Sequence, residues 1–169
     1  MSDINIFENT ILDSDLSINT INEILIIQKK CSLSEWTCKD YKNEFERIDS
    51  RQIIATKTKT IVGFGILRLI SPFNKTFFSK LSFKFEEAEI LNIAVDPILQ
   101  NKGIGNSMLE KMVAVSSSSG VKRIWLDVRE SNNKAINFYK KNKFHYAYSR
   151  QNYYQSPSEN AWIMKRELD

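Results

Sequence analysis

The chain has 169 residues, of which 42% are hydrophobic and 26% are charged. This length favours a single domain over residues 1–169, and the composition is that of a globular protein rather than a disordered segment. The net charge of +4 permits an acidic ligand or nucleic acid but demands neither. The one dense basic cluster, Lys140, Lys141 and Lys143, is interpreted as a solvated helix end rather than a nucleic-acid patch.

Cysteine and histidine content argues against a disulfide framework and against a metal centre. Cys31, Cys38 and the lone His145 do not supply the clustered ligands of a zinc site. Two reduced thiols are typical of a cytoplasmic protein. The acidic N-terminal residues lack the pattern of a signal peptide, and no apolar run reaches the roughly 18 residues of a membrane span.

The first part of the chain predicts one strand and two helices. Residues 4–12 are the candidate strand. Apolar residues recur at helical spacing after Leu16, which predicts a first helix. Ser32 or Ser34 is expected to cap a second helix over residues 35–48.

A β-hairpin and a long insertion follow. Residues 51–58 and 60–70 are β-rich runs with a short polar connection, which predicts two paired strands. Gly63 and Gly65 inside the second strand indicate close packing or a bulge. Residues 71–87 hold several phenylalanines without a clean period, and we interpret them as a loop that folds over a ligand or over its own core.

The next elements alternate between strand and helix. Residues 88–95 form an apolar strand that ends at Asp96-Pro97. Apolar residues then recur at helical spacing from Ile104 to Val113, and Gly120 is a plausible C′ residue of that helix. Residues 121–130 are predicted to form a buried strand.

The C-terminal part predicts a helix and two strands. Ser131 is expected to cap a helix over residues 132–142. Residues 144–150 and 160–168 are the last strands, and residues 151–159 are the predicted loop between them. The order of elements along the whole chain predicts an α/β protein with a mixed sheet.

The stretch "QNKGIG", residues 100–105, lies between a strand and a helix start. Backbone N–H groups at such a place, together with the helix dipole, favour a bound anion such as phosphate. Glycine lets the ligand approach the backbone, and Gln100 and Lys102 are possible side-chain donors. A dinucleotide fingerprint would require a third glycine where Met108 stands, and the P-loop pattern is absent. An ordinary strand-to-helix turn is the alternative.

These six residues resemble the Q/R-x-x-G-x-G/A motif of the GNAT superfamily of N-acetyltransferases. The runs "LNIAVDP", "LDVRESN" and "NYYQSPSENAWIM" are similar to the branch that acetylates protein N-termini, which includes bacterial ribosomal-protein-alanine acetyltransferases. The resemblance runs from about Trp36 to the C-terminus. It implies a mostly antiparallel mixed sheet with a splayed strand pair, flanked by helices. It also implies acetyl-CoA as the acetyl donor and coenzyme A as a product.

The same resemblance implies where the coenzyme binds. The glycine loop would hold its pyrophosphate, and the backbone of the preceding strand would hold its pantetheine arm. The implied cofactor contacts are Asn92, Ile93, Ala94, Val95, Gln100, Asn101, Lys102, Gly103, Ile104, Gly105, Asn106, Ser107, Asn132 and Tyr139. For Asn132 the alternative is capping of a helix.

Acetyl transfer to an amine requires a neutral nucleophile, and a free α-amino group with a pKa near 7.7–8.0 asks only for a modest base. The resemblance implies a glutamate base at the position of Asp127 in the ribosomal-protein acetyltransferases. The aspartate side chain is one methylene shorter than that glutamate. Glu89 resembles the base of histone acetyltransferases of the same superfamily. We keep both as candidates. The structural alternatives are an ion pair of Asp127 with Arg129 or Lys122, and a solvated strand end at Glu89.

Tyrosines carry the remaining predicted roles. The resemblance implies that Tyr139 protonates the departing thiolate, and packing in the core is the alternative. It implies that Tyr153 and Tyr154 form a wall around a peptide N-terminus, although they could instead pin the loop. Trp36 resembles a tryptophan that lines the peptide side, and a core role is its alternative. Glu159 matches an acidic motif position, and Asn160 departs from the aspartate that usually follows.

The sequence therefore predicts an acetyl-CoA-dependent acetyltransferase acting on a protein N-terminus, in particular the N-terminal alanine of a small-subunit ribosomal protein. No metal, nucleic-acid or membrane partner is expected. One alternative is an acetyltransferase acting on a small-molecule amine or a lysine side chain, which the aspartate at 127 and the insertion would favour. A second is a catalytically silent acyl-CoA-binding protein, and a third is a nucleic-acid-binding module.

Overall fold

The computed structural model describes residues 4–9, 14–33, 36–71 and 85–169. Ser34, the end of the first predicted strand and most of the predicted 71–87 insertion lie outside these residues. Within the described part no helix is long and apolar enough to cross a membrane.

The elements of the described part alternate much as the sequence predicts. The β-strands are β1 (Ile4–Asn9), β2 (Ser50–Lys57), β3 (Thr60–Ile70), β4 (Glu87–Val95), β5 (Arg123–Arg129), β6 (His145–Gln155) and β7 (Ser158–Glu167). The α-helices are α1 (Ser14–Lys30), α2 (Cys38–Phe45), α3 (Ile104–Ser118) and α4 (Asn133–Lys141), and a short 3-10 turn covers Pro97–Leu99.

The strands form one seven-stranded sheet in the order β1-β2-β3-β4-β5-β7-β6. Antiparallel ladders join β1 to β2, β2 to β3, β5 to β7 and β7 to β6. The β4–β5 ladder is parallel and runs from the pair Glu87–Arg123 to the pair Ile90–Leu126, while both strands continue past it. The predicted α/β class, with a mostly antiparallel mixed sheet and a splayed strand pair, is confirmed.

Contacts divide the chain into two compact units. Unit 1 comprises Met1–Arg68 and Asn92–Val115, and unit 2 comprises Leu69–Leu91 and Ser116–Asp169. The division runs through β3 and β4, so both strands contribute to each unit.

Unit 1 is built on an aliphatic core with unusually close strand-to-helix packing. Ile21 and Ile24 of α1 and Phe64 of β3 are fully buried. A Cβ on Gly63 would lie 2.9 Å from Met108 Sδ, and one on Gly65 would lie 2.5 Å from Met112 Cε. The close packing predicted for the two strand glycines is confirmed, because side chains at these positions would collide with α3.

The start of α2 differs from the prediction. Thr37, rather than Ser32 or Ser34, is the N-cap. Its Oγ1 accepts a hydrogen bond from Asp40 N at 3.2 Å, while the Asp40 carboxylate accepts one from Thr37 N at 2.7 Å. This reciprocal capping box stabilises the helix start at Cys38, so Trp36 lies outside the helix.

Unit 2 shows the burial alternation expected of its strands, and the prediction needs one correction, at the start of α4. Along β5 the even-numbered residues are buried and the odd-numbered ones are half-buried. Gly120, the second residue after α3, has φ +84, as the C′ prediction requires. The N-cap of α4 is Asn132, not Ser131, because the Asn132 side chain accepts the hydrogen bond from Ala135 N.

The last two strands are longer than predicted. Strand β6 extends to Gln155, and a turn at Ser156–Pro157, whose peptide bond is cis, leads into β7. The prediction of a loop over residues 151–159 was wrong. As the last strand in the sheet order, β6 is paired on one side only, and most of its residues are exposed. Its polar composition therefore resembled a loop.

Candidate active site

The glycine loop of unit 1 leads directly into the N-terminus of α3. Asn101 has φ +60 and Gly103 has φ +83, and α3 begins at Ile104, whose side chain is buried. N–H groups in the first turn of a helix have no carbonyl partner within it, and they point out of its N-terminus. A Cβ on Gly103 would meet nothing within 4 Å, so this side of the loop is open. Gly105 and Asn106 continue this first turn of α3, and Ser107 N donates the first hydrogen bond of the helix, to the Gly103 carbonyl at 3.1 Å.

Gln100 holds the loop to the end of β4. Its Nε2 donates to the Val95 carbonyl at 3.0 Å and lies 3.9 Å from Cys31 Sγ. Asp96 accepts a hydrogen bond from Lys30 at 2.7 Å, which holds the pKa of its carboxyl below the usual value. Gln100 therefore has a positioning contact inside unit 1, whereas Lys102 is exposed.

Strand β4 precedes this loop in the sequence and carries a hydrogen-bond donor, the side-chain amide of Asn92. Asn92 Nδ2 is buried and has no acceptor among the residues that the structure describes. A buried amide donor without an acceptor is costly, so it fits a ligand that brings a carbonyl or another acceptor. Ile93 is half-buried, and Ala94 and Val95 are buried, so their backbone is the main polar feature of this end of the strand.

Unit 2 pairs a carboxylate with a phenol. The Tyr154 hydroxyl donates to Asp127 Oδ2 at 2.6 Å, a charge-assisted geometry. Burial, followed by the hydrogen bond and charge of Asp127, raises the pKa of the Tyr154 phenol. Arg129 and Lys122 are the partners that the sequence suggests for Asp127, whereas the structure gives it Tyr154.

Arg129 fixes the surroundings of that pair. Its guanidinium lies 4.1 Å from the centre of the Tyr154 ring. It donates to Glu159 Oε2 at 3.0 Å, and also to the carbonyls of Ser156 and Pro157 at 2.9 and 3.2 Å. Sequence reasoning missed the role of Arg129 in positioning a tyrosine, although opposite charges in the two motifs "LDVRESN" and "NYYQSPSE" were a usable signal.

Glu159 extends the same network to the start of α4. Its Oε1 accepts a hydrogen bond from Ser131 N at 2.6 Å. The hydrogen bonds from Ser131 and Arg129 lower the pKa of its carboxyl. The acidic motif position thus joins the β6–β7 turn to the segment before the helix that carries Tyr139.

Tyr139 lies on the packed face of α4, as predicted. It is 8% exposed, and its ring centroid lies 5.2 Å from that of Phe138 and 5.7 Å from that of Phe144. Burial, and to a lesser extent the charge of Asp127, raises the pKa of its hydroxyl. The phenol therefore keeps its proton at neutral pH, as a proton donor must.

Glu89 shares a sheet face with Asp127. It stands opposite Trp125 in the parallel ladder, and alternation places Trp125 and Asp127 on one face of β5. Glu89 is the third residue of β4 and is half-buried, so it is not the solvated end of the strand. The charge of Asp127, burial and the charge of Glu89 all raise the pKa of Tyr153, while Arg150 lowers it.

The structure places two further predicted residues in structural contacts. Asn132 Oδ1 accepts from Ala135 N at 3.1 Å, which is the capping alternative. Trp36 packs its ring 5.2 Å from that of Tyr41, and its carbonyl accepts from Gln28 Nε2 at 3.0 Å. Unit 2 thus brings together Glu89, Asp127, Tyr139, Tyr153 and Tyr154, and unit 1 holds the glycine loop, Asn92–Val95 and Trp36.

Sequence comparison identifies relatives over most of the chain. The profile of the acetyltransferase (GNAT) family matches residues 21–144. The [ribosomal protein bS18]-alanine N-acetyltransferase of Escherichia coli strain K12 is 31% identical over 159 residues, which cover 92% of this chain and 95% of the relative.

Structural comparison finds the same architecture in solved proteins. The crystal structure of the ribosomal-protein-S18-alanine N-acetyltransferase from Escherichia coli matches with a TM-score of 0.77 and 26% identity, covering 98% of this chain and 94% of that one. A GNAT family acetyltransferase from Elizabethkingia anophelis, solved with acetyl-CoA bound, shares the fold with a TM-score of 0.71 and 18% identity, covering 99% and 100% of the two chains.

Proposed function

This chain belongs to the GNAT family of acetyltransferases, and we propose that it transfers acetyl from acetyl-CoA to the N-terminal α-amino group of a protein. The acceptor we propose is the N-terminal alanine of a small-subunit ribosomal protein. The name of the E. coli relative, which the chain matches over nearly its whole length, supports this acceptor.

The observation that carries the proposal is the arrangement around Asp127. This one carboxylate accepts a hydrogen bond from Tyr154 and raises the pKa of Tyr139 and Tyr153 by its charge. Acyl transfer to an amine needs a group that takes a proton and a group that gives one. A carboxylate among protonated phenols supplies both within unit 2.

The residues of unit 1 fit the acetyl donor. Acetyl-CoA supplies the activated acetyl thioester and carries phosphates and amides. The first-turn N–H groups of α3 and the open side of Gly103 suit the phosphates. Among the residues that the structure describes, Asn92 Nδ2 has no acceptor, which suits an amide carbonyl of the donor. Following the family resemblance, we assign the donor to residues 92–95 and 100–107 and propose Asn132 and Tyr139 as further contacts.

Proton handling is assigned to the side chains of unit 2. Tyr139 would hold a proton at its hydroxyl and give it to the leaving thiolate. Glu89 and Asp127 remain the candidates that receive the proton of the amine, because both act electrostatically on the same tyrosine. An α-amine with a pKa near 8 asks less of such a base than a lysine side chain near 10.4.

Aromatic side chains are assigned to the acceptor. Tyr153 is 43% exposed, and its ring centroid lies 5.1 Å from that of Tyr154 in an edge-on arrangement. Such amphipathic rings suit a peptide backbone, and we assign them and Trp36 to the acceptor side. The family match at 21–144 draws on both units, so we propose that they form a single domain. We also propose that the protein is cytoplasmic, because both of its cysteines are free thiols.

Coenzyme A release measured with a panel of acceptors tests this function. The panel holds peptides with free Ala, Ser or Met N-termini, the same peptides with blocked N-termini and an internal lysine, and a polyamine. We expect turnover only with free N-termini and fastest with alanine. Turnover with blocked lysine peptides or with the polyamine would replace the proposed acceptor. Binding of acetyl-CoA without any turnover would indicate an acyl-CoA-binding protein.

A further inference from the structure

The hydrogen bond between Tyr154 and Asp127 puts a phenol directly against one oxygen of the carboxylate. Asp127 is half-buried in the middle of β5, where it stands opposite Ile163 of β7. Tyr154 reaches it from β6, with 2.6 Å between Oη and Oδ2. The phenol oxygen keeps a lone pair that can accept a proton from another group.

We propose that Tyr154 itself takes the proton from the acceptor amine and passes its own phenolic proton to Asp127. This inference rests on the acetyltransferase function proposed above and assigns the base of that reaction. The relay acts on the protonated amine: an N–H bond of the ammonium group breaks and an O–H bond forms at Tyr154 Oη, while the original Oη–H bond breaks and an O–H bond forms at Asp127 Oδ2. The neutral amine nitrogen then bonds to the acetyl carbon, the carbon–sulfur bond breaks and the thiolate takes the proton of Tyr139. Tyr139 recovers a proton as the amide nitrogen loses its second one. Asp127 returns the proton to solvent.

Electrostatics favour a relay over an ionised phenol. Burial and the negative charge of Asp127 raise the pKa of Tyr154, so the phenol stays protonated around neutral pH. It can therefore accept a proton only while it gives one away. Arg129 lies over its ring and opposes the rise, and Tyr153 is the other titratable group that acts on it. Arg150 and Glu89 act in turn on Tyr153.

The surrounding contacts hold the relay in one geometry. Arg129 stacks on the Tyr154 ring and binds the carbonyls of Ser156 and Pro157. Tyr154 also stands directly opposite Glu159 in the β6–β7 ladder. Both ends of the turn that follows Tyr154 are thus tied to β5, so the hydroxyl is positioned before a substrate arrives.

The short side chain at position 127 gives the relay a specific test. A glutamate would carry its carboxylate further by one carbon–carbon bond, about 1.5 Å. It would move toward the position that the phenol oxygen now occupies. A glutamate at 127 can therefore replace the missing hydroxyl when Tyr154 is changed to phenylalanine.

The experiment measures kcat and KM for a peptide with a free N-terminal alanine at saturating acetyl-CoA. We expect Asp127→Asn and Tyr154→Phe each to lower kcat about 100-fold at pH 7, with the double variant no worse than either, because both break the same proton path. The variant that combines Tyr154→Phe with Asp127→Glu should recover at least about tenfold over Tyr154→Phe alone. Tyr146→Phe is the matched control and should stay near wild type, because the Tyr146 hydroxyl contacts Ser149 on the same strand.

A pH profile gives a second readout that a purely structural role would not reproduce. The α-amine of the peptide loses its proton to solvent with a pKa of about 8. The defect of Tyr154→Phe should therefore shrink between pH 7 and pH 9. A loss confined to KM, a defect independent of pH, or an unchanged kcat in Tyr154→Phe would overturn the relay. Inactivity of the wild-type protein on every free N-terminus would instead overturn the proposed function on which the relay rests.

Discussion

The two units use different parts of the polypeptide for their assigned tasks. In unit 1 the glycine loop and residues 92–95 of β4 offer mainly backbone groups, and the side chains around them serve packing, as Met108 does against Gly63. In unit 2 the chemistry that we propose lies in side chains, above all in the hydrogen bond from Tyr154 to Asp127. Added atoms in unit 1 should therefore lower stability or donor binding, whereas the loss of single polar atoms in unit 2 should lower the rate of acetyl transfer.

Apart from the variants that test the relay, the largest expected effect is in unit 2, at Tyr139. Tyr139→Phe removes one hydroxyl from a buried ring and should lower kcat about 100-fold, because the leaving thiolate loses its proton donor. The dissociation constant of acetyl-CoA should change less than about threefold. Steady-state kinetics and calorimetric titration separate the two quantities. An unchanged kcat would show that Tyr139 serves packing alone.

In unit 1 the corresponding change is an added methyl group. Gly63→Ala places a Cβ 3.0 Å from the Ala94 carbonyl oxygen, which is backbone and cannot turn aside. We expect it to lower the free energy of unfolding by about 2 kcal/mol. Gly65→Ala is the matched control and should cost about half as much, because its Cβ meets the terminal methyl of Met112, which can rotate. Urea titrations of both variants measure the difference, and equal losses would contradict this account of the packing.

A smaller effect is expected at the second carboxylate of unit 2. Glu89→Gln removes a charge that raises the pKa of Tyr153, but it leaves the Tyr154–Asp127 bond in place. We expect a loss of about tenfold in kcat/KM, clearly less than for Asp127→Asn. The peptide assay at pH 7 compares the two variants. A larger loss for Glu89→Gln would make Glu89 the principal base.

The smallest expected effect on stability is in the glycine loop, where it should be separable from binding. Gly103→Ala places an alanine in the left-handed backbone conformation, with φ +83, and should lower the free energy of unfolding by about 1 kcal/mol. Gly120→Ala has φ +84 and should cost the same. Only Gly103→Ala should weaken acetyl-CoA binding, by about tenfold, because its new methyl group lies where phosphates approach. Equal affinities would remove the loop from the donor site.

Local patterns in the sequence were enough to predict most of the helices and strands that the structure describes. Gly120 marks the end of α3 because its left-handed backbone suits a residue without a Cβ. The alternation along β5 follows directly from its residues. The helix starts were less predictable, because several neighbouring residues can cap. Thr37 and Asn132 are the caps, rather than the predicted Ser32, Ser34 and Ser131.

The sequence by itself determined the family motif, the α/β order and the residue types of the candidate site. Only the tertiary structure decided which of those residues meet. Asp127 and Tyr154 are 27 positions apart, and their contact depends on how β6 pairs with β7, including the register shift between Arg150 and Tyr154. Such a shift changes the sheet face on which the following side chains lie, because side chains alternate between the two faces along a strand. Strand register is set by long-range packing, so the partner of Asp127 could not be derived from local sequence.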